Sequence, residues 1–144
     1  MKPVKAVDAA FLQLETVATP MHVGALFVLE PRSARERATF FRRFRAEIGA
    51  RLGRSEVFTR RVASLPFNVA NPIWVVGQVD LDYHVRRTTL PEPGNQHQLE
   101  ECVADLHAPL MDRSRPLWEL HVIEGVAGGR LALYVKTHHA GLDG

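Results

Sequence analysis

Residues 131–144 read Leu-Ala-Leu-Tyr-Val-Lys-Thr-His-His-Ala-Gly-Leu-Asp-Gly, and the rest of the chain is organised around this stretch. Its first half is rich in apolar, aromatic and β-branched residues, and a Gly-Gly pair at 128–129 precedes it, which predicts a strand entered from a turn. Side chains alternate between the two faces of a strand. We therefore expect His139 to share a face with Thr137, and His138 to point to the opposite face.

A histidine at the end of a strand is suited to general-base chemistry, because its unperturbed pKa of about 6.5 lets it exchange protons near neutral pH. On residue type alone, a histidine in this position is more often structural, and that alternative stays open. A metal site from His138, His139 and Asp143 is a third interpretation, since imidazole and carboxylate are common zinc ligands. Neighbouring strand residues point apart, so the pair is poorly placed to chelate, and we predict no metal.

The pattern His-His-x-x-x-Asp-Gly at 138–144 resembles the active-site motif of the CoA-dependent acyltransferase superfamily. Three further blocks resemble the wax ester synthase/diacylglycerol acyltransferase family within it. They are Asp-Ala-Ala-Phe-Leu-Gln-Leu-Glu at 8–15, Pro-Met-His-Val-Gly-Ala-Leu at 20–26, and Asp-Arg-Ser-Arg-Pro-Leu-Trp-Glu at 112–119. The resemblance spans nearly the whole chain, and the Pro-Leu-Trp segment is its most distinctive part.

The resemblance implies acyl transfer from acyl-CoA to diacylglycerol or a long-chain alcohol, with His139 as the general base. His138 and Asp143 would be supporting members of the motif, and Gly144 its turn. His139 would take the hydroxyl proton as the oxygen attacks the thioester and then protonate the leaving thiolate. The expected reaction uses acyl-CoA as a co-substrate and no cofactor.

Two rival functions remain open. The chain is either a non-catalytic, lipid-associating half-subunit, or part of a condensation-type acyltransferase that takes its acyl group from a carrier protein. Free CoA thioesters and carrier-loaded thioesters would separate the second rival from the leading hypothesis.

The resemblance also implies an α/β fold with a mixed sheet flanked by helices, the N-terminal half of a chloramphenicol-acetyltransferase-like two-domain enzyme. By length, residues 1–144 form one domain. Family members carry a second, similar domain after the motif, so we expect this domain to be incomplete alone. Its expected partner is the C-terminal half as a separate chain, or another copy through self-association.

Three further residues are candidates for lining a cleft. His22 begins an almost continuously apolar run to Leu29, which predicts a strand covered on both faces. The resemblance places this segment near the substrate tunnel, so His22 either lines the cleft or is simply a polar residue at the start of the strand. The predicted strand over 117–124 pairs with the motif strand through a turn, which brings Trp118 near the histidines. His121 lies on the same predicted strand and either reaches the cleft or packs against a local partner.

Arginines supply the remaining candidates for ligand contact. The resemblance suggests an arginine partner for Asp143, for which Arg113 and Arg115 are the candidates. Ten more arginines lie within 32–61, largely off the apolar stripe of a helix predicted from an N-cap at Ser33. We interpret that basic face as solvated, with attraction to anionic lipid headgroups or to CoA phosphates as alternatives.

Composition excludes several classes. The net charge of +2 is too mild to indicate a nucleic-acid partner. The single cysteine, Cys102, excludes an internal disulfide and indicates a reducing compartment. No run of 18 apolar residues predicts a transmembrane helix, and Asp8 and Glu15 interrupt any secretory signal. We therefore expect a cytoplasmic location, with peripheral contact at a membrane or lipid-droplet surface as a further option. His84, on a strand predicted over 80–90, is expected at the surface.

Overall fold

The computed structural model of the chain describes residues 2–63 and 72–141. Its strands are β1 (Lys2–Pro3), β2 (His22–Leu29), β3 (Arg60–Ala63), β4 (Ile73–Val76), β5 (Val85–Thr89), β6 (Trp118–Val126) and β7 (Arg130–His138). Its helices are α1 (Ala6–Leu14), α2 (Ala34–Arg51), α3 (Leu81–His84) and α4 (Gln96–His107). Short 3₁₀ turns cover Leu52–Arg54, Glu56–Phe58, Ala127–Gly129 and His139–Gly141.

The motif strand β7 lies inside a four-stranded sheet with the order β2-β7-β6-β5. It pairs antiparallel with β2 and β6, whereas β5 runs parallel to β6. The turn between β6 and β7 contains Gly128 with a φ of 77°, a conformation that glycine adopts without strain. The sheet is therefore mixed, as expected, and the motif emerges from one of its two central strands.

A helix covers each face of this sheet. On one face, Leu99 of α4 packs with Ile123 and Tyr134. On the other face, Phe44 and Ile48 of α2 pack against the cluster that contains Trp118 and Leu120. The four-residue spacing of α2 correctly predicts this apolar stripe, although the helix buries none of its residues completely.

Helix α1 lies at the end of the sheet where the motif emerges. Ala9 and Leu12 join a buried cluster that also contains Leu117 and Ala140, so α1 packs directly on the turn that follows the two histidines. Helix capping supports the helices locally: the Ser33 side chain accepts the Glu36 N–H at 3.1 Å, as predicted.

A second, three-stranded antiparallel sheet has the order β1-β4-β3, and the sequence did not predict it. A 3₁₀ turn at Glu56–Phe58 leads into β3. An isolated antiparallel bridge between Arg61 and Pro116 connects this small sheet to the start of β6.

Two sequence-based expectations about exposure are wrong. Strand β2 is not covered on both faces, because it forms an edge of the sheet and leaves Phe27 and Val28 about half exposed. His84 is not at the surface: its ring is 0% exposed, stacks on Trp118, and lies with Nδ1 2.7 Å from the Trp118 carbonyl oxygen. The helical turn α3, capped by the Asp80 side chain, interrupts the alternation on which that prediction rested.

Candidate active site

Strand β7 delivers the two histidines into opposite environments. His138 is the last strand residue and is fully buried, whereas His139 begins the following 3₁₀ turn and is exposed. The His139 N–H donates to the Met21 carbonyl at 2.9 Å, so the turn stays tied to the start of β2. The alternation of the strand predicts this separation, and only His139 is open to a substrate.

His138 has the contacts of a structural residue. Its Nδ1 accepts the Ala140 N–H at 3.0 Å, which closes the turn around His139. In a neutral imidazole the other nitrogen then carries the proton. That nitrogen, Nε2, lies 3.2 Å from Glu15 Oε1, although the angle falls short of a hydrogen bond. Burial lowers the pKa of His138, and the Glu15 carboxylate only partly offsets this effect, so the ring is neutral near pH 7.

The His139 ring lies against α1. It stacks on Phe11 with 4.9 Å between ring centroids and 19° between planes. Within residues 2–63 and 72–141, neither of its ring nitrogens forms a hydrogen bond. The ring is therefore held on one face by an apolar neighbour, and its nitrogens are available for proton transfer.

A buried carboxylate, Glu15, lies behind the histidines. Its side chain is 1% exposed, and Oε2 accepts from Arg113 Nη2 at 2.8 Å while Oε1 accepts the Met21 N–H at 3.1 Å. Burial alone would raise the pKa of Glu15, but these hydrogen bonds outweigh burial and lower the pKa below its usual value. Sequence reasoning placed Glu15 in a family-like block but did not assign it to the site.

The arginines proposed for Asp143 have other carboxylates nearby. Arg113 pairs with Glu15, and Arg115 lies 3.3 Å from both Asp80 and Asp112. Asp143 and Gly144 lie outside the described residues, so their predicted roles stay predictions.

Sequence reasoning missed Arg60, which approaches the motif from the small sheet. Its Nη2 donates to the Gly141 carbonyl at 3.5 Å, a long hydrogen bond. The guanidinium also lies 4.5 Å from the centroid of the Trp74 ring. Only the folded structure brings this arginine beside the turn, because it is far from the motif in sequence.

The two histidines proposed as cleft-lining residues lie beneath α4 rather than beside His139. His22 is 6% exposed, and its Nε2 lies 2.7 Å from the His107 carbonyl oxygen. Burial and the nearby Lys136 ammonium lower the pKa of His22. His121 is buried with Nε2 3.0 Å from Glu119, the local partner that the sequence analysis considered.

Trp118, the third lining candidate, faces an apolar cavity of about 190 Å³ beside the motif. Thr137 and Gly141 line the same cavity, two residues before and two residues after His139. The Trp118 Nε1–H donates to the Phe58 carbonyl at 3.0 Å, so the indole presents carbon atoms to the cavity. Other apolar lining residues include Val57, Trp74, Leu117 and Val135. Among the residues that the structure describes, no three His, Cys, Asp or Glu side chains are arranged to bind a metal.

The fold defines the class of protein. The structure superimposes on the starter condensation domain of rhizomide synthetase RzmA with a TM-score of 0.73, over 99% of this chain and 31% of that one. Because the sequences are only 12% identical, this likeness shows a shared fold and no more. The expected α/β fold with a mixed sheet flanked by helices is confirmed.

Within that class, residues 4–144 match the sequence profile of the wax ester synthase/diacylglycerol acyltransferase catalytic domain, and the chain belongs to this family. A solved wax ester synthase/diacylglycerol acyltransferase from Marinobacter aquaeolei VT8 is 35% identical, with a TM-score of 0.80 over 99% of this chain and 35% of that one.

Mycobacterial proteins are also similar in sequence to this chain. A putative diacylglycerol O-acyltransferase of Mycobacterium bovis is 42% identical over 138 residues, which are 95% of this chain and 30% of the relative. The probable diacylglycerol O-acyltransferase tgs3 of Mycobacterium tuberculosis is 39% identical over 98% of this chain and 51% of its own length. The chain therefore spans between about a third and a half of these relatives.

Proposed function

We propose that this chain supplies the base-bearing part of an acyl-CoA-dependent O-acyltransferase whose acceptor is diacylglycerol or a long-chain alcohol. The observation that carries this proposal is the exposed His139 ring at the end of a central strand, with its backbone tied to Met21. The names of the mycobacterial and Marinobacter relatives support the substrate class.

In the proposed reaction, His139 accepts the hydroxyl proton as the alcohol oxygen attacks the thioester carbonyl carbon. The tetrahedral intermediate then collapses, the carbon–sulfur bond breaks, and the imidazolium returns its proton to the CoA thiolate. The products are the ester and free CoA. Acyl-CoA is consumed as a co-substrate, and no further cofactor enters the scheme.

The cavity beside the motif suits part of an alkyl chain. Its lining is almost entirely apolar, and it includes Thr137 and Gly141, which lie two residues before and two residues after His139 in the sequence. Apolar cavities of this kind bind methylene groups without leaving polar atoms unpaired. We propose that the acyl chain of the donor enters it while the thioester lies at His139.

A specific observation favours surface association as a second role. The Arg37 guanidinium donates to the Gly129 carbonyl, so the start of α2 lies beside the β6–β7 turn. The nine residues of β7 separate this turn from His139, a distance of about 30 Å. The exposed Arg35, Arg42 and Arg43 therefore suit a membrane or lipid-droplet surface better than the phosphates of CoA bound at His139.

The proposed location is cytoplasmic and peripheral. Among the described residues, no helix combines the length and hydropathy that a bilayer crossing requires. Vesicle co-sedimentation tests the surface role: charge reversal of Arg42 and Arg43 should abolish the preference for anionic over neutral vesicles, whereas Arg54→Glu, in the turn beyond α2, should leave it intact. Binding without any CoA release would favour the non-catalytic alternative.

The greater length of the relatives supports a second lobe that completes the site. We propose that it comes from the C-terminal half of the same protein, with a separate chain or a second copy of this one as alternatives. An assay of residues 1–144 alone separates an autonomous catalyst from a domain that needs this lobe. Parallel assays with free and carrier-loaded thioesters distinguish the proposed enzyme from a condensation-type one.

The general-base role can be tested in a chimera in which this chain replaces the matching segment of the Marinobacter enzyme. CoA release from palmitoyl-CoA is measured with diacylglycerol and with hexadecanol. His139→Ala should lower the rate by about 10²- to 10⁴-fold, because a general base contributes that much. The control is His97→Ala on α4, whose side chain is 77% exposed. Full activity of His139→Ala, or a folded but inactive parent chimera, would contradict the proposal.

A further inference from the structure

The Glu15 carboxylate joins four segments that are far apart in sequence. Glu15 is the C-cap residue of α1, and its oxygens contact Arg113 from the loop before β6, Met21 from the start of β2, and His138 from the end of β7. These are the same four segments whose sequences resemble the family. The carboxylate is therefore the point at which those blocks meet in space.

Glu15 is connected to the backbone of His139 through Met21, and to the backbone of Ala140 through His138. Glu15 accepts the Met21 N–H at 3.1 Å, and the Met21 carbonyl accepts the His139 N–H at 2.9 Å. Glu15 also faces the Nε2 of His138, whose Nδ1 accepts the Ala140 N–H at 3.0 Å. The N–H groups of His139 and Ala140 are thus both held by residues that Glu15 contacts.

The same helix turn also contacts the base itself. The Glu15 N–H donates to the Phe11 carbonyl at 3.2 Å, which fixes the end of α1. The ring of Phe11 stacks on His139 at 4.9 Å. The last turn of α1 therefore contacts the His139 ring directly through Phe11. It is connected to the His139 backbone through Glu15 and Met21.

Helix stability does not explain a carboxylate at this position. The C-terminus of a helix carries partial negative charge, so a carboxylate there is locally unfavourable. A residue that breaks a local rule usually has a compensating role elsewhere in the structure. The contacts to Met21 and His138 supply such a role.

We propose that Glu15 is a positioning residue for the general base: its carboxylate fixes the tautomer of His138 and the backbone of the His139–Gly141 turn. This inference rests on the proposed function, in which His139 accepts the substrate proton. A carboxylate suits this position because Arg113 and the Met21 N–H both donate to its oxygens, and the Nε2 of His138 faces them at 3.2 Å. A carboxylate has no hydrogen of its own to donate. A glutamine at this position would turn its amide N–H₂ toward Arg113 or toward the Nε2–H of His138.

The test uses Glu15→Gln in the 144-residue chain labelled with ¹⁵N. Ring ¹⁵N shifts report the tautomer of His138, and hydrogen exchange reports the opening of the His139 amide, which donates to Met21. We expect Glu15→Gln to add the Nδ1–H tautomer of His138 and to speed exchange of the His139 amide by about tenfold or more. Neither readout needs a substrate, so both stand even if the proposed reaction is wrong.

The matched control is Glu119→Gln. Glu119 is also a buried carboxylate with an arginine and a histidine as partners: Arg86 at 2.6 Å and His121 at 3.0 Å. It therefore repeats the chemical change in β6, without contacting the motif. We expect Glu119→Gln to lower stability while leaving the His138 tautomer and the His139 amide as in the parent chain.

In the Marinobacter chimera, Glu15→Gln should lower kcat by about 10- to 100-fold with little change in KM, because misplacing a catalytic group costs that much. If Glu15→Gln does not fold, Arg113→Gln is tested in its place. Arg113 is 41% exposed, and its loss removes one hydrogen bond to Glu15 while the carboxylate stays. Smaller changes in the same two readouts are then expected. Readouts identical to the parent chain, or equal changes in Glu119→Gln, would overturn the positioning role.

Discussion

At the residue scale, Gly24 of β2 lies directly against the ring of Tyr134. A Cβ at this position would lie 2.5 Å from the Tyr134 hydroxyl oxygen and 2.7 Å from its Cε2. The hydroxyl cannot withdraw easily, because it shares a hydrogen bond of 2.6 Å with His107 Nδ1. We expect Gly24→Ala to lower the free energy of unfolding by about 1–3 kcal/mol, the usual cost of overpacking. Urea denaturation measures the change.

The control for this prediction is Gly53→Ala. No atom lies within 4 Å of a Cβ built at Gly53, so the same chemical change there meets open space. Its effect should stay within about 0.5 kcal/mol, as for most surface substitutions. Equal stability of the two variants would show that Tyr134 moves aside without cost.

The sequence predicts the separate environments of the two histidines but not the residues that hold them. Their opposite faces follow from the two-residue period of a strand, which needs no knowledge of the fold. The importance of Glu15 depends on contacts from three other segments, and the nearness of Arg60 depends on the small sheet. Such distant contacts leave no local pattern in a single sequence.

At the scale of elements, the cavity lies between the large sheet and the 3₁₀ turn at Glu56–Phe58. Val57 lines it from that turn, so Val57→Phe should narrow this 190 Å³ cavity without altering a strand. In the chimera, we expect the preference for palmitoyl-CoA over butyryl-CoA to fall by about tenfold, within the range for altered apolar pockets. Rates of CoA release with the two donors measure this preference.

The control is Val17→Phe, because the Val17 side chain is 82% exposed and does not line the cavity. This variant should retain the chain-length preference of the parent chimera. If Val57→Phe also retains that preference, the acyl chain does not enter the cavity and the proposed donor site is wrong.

Helices and strands were predictable where the spacing of apolar residues was regular over a long segment. Helices α2 and α4 follow their apolar stripes, and the β6–β7 hairpin follows its glycine-rich turn. The exposure of the β2 side chains was not predictable, because an apolar run has the same composition in a buried central strand and in a partly exposed edge strand. Helix α3 was missed because four residues are too short for a helical period.

At the scale of the whole molecule, burial keeps several histidines neutral. It lowers the pKa values of His22, His84, His107 and His138. Unfolded histidines bind protons below about pH 6.5, whereas these folded ones resist protonation until a lower pH. The stability they contribute is therefore complete above pH 6.5 and is lost as the pH falls through the folded pKa values.

We expect the free energy of unfolding to fall as the pH is lowered from about 6.5 to 5.5, with a slope that approaches about 1.4 kcal/mol per pH unit for each histidine kept neutral. Urea denaturation across this range measures the slope. His84→Asn should reduce it, because the asparagine amide can still donate to the Trp118 carbonyl but does not titrate. The exposed His97→Asn should leave the slope unchanged, and a flat profile for the parent chain would contradict the prediction.

The overall class was predictable because four sequence blocks resemble one family, whereas the second sheet was not. Its strands contain two to four residues each, and one of them includes Pro3. Segments this short carry too little alternation to be recognised. They become strands because the folded domain brings them together, as the bridge between Arg61 and Pro116 illustrates.

The Glu15–Arg113 pair also bears on the order of events in folding, since its members are 98 positions apart in the chain. Contacts across such separations form only after the intervening loop has been closed, at an entropic cost that shorter-range contacts avoid. The β6–β7 hairpin can form early and carry both histidines with it. The geometry proposed to make His139 a base should appear only when α1 docks, so an incompletely folded chain would hold the motif without the proposed reactivity.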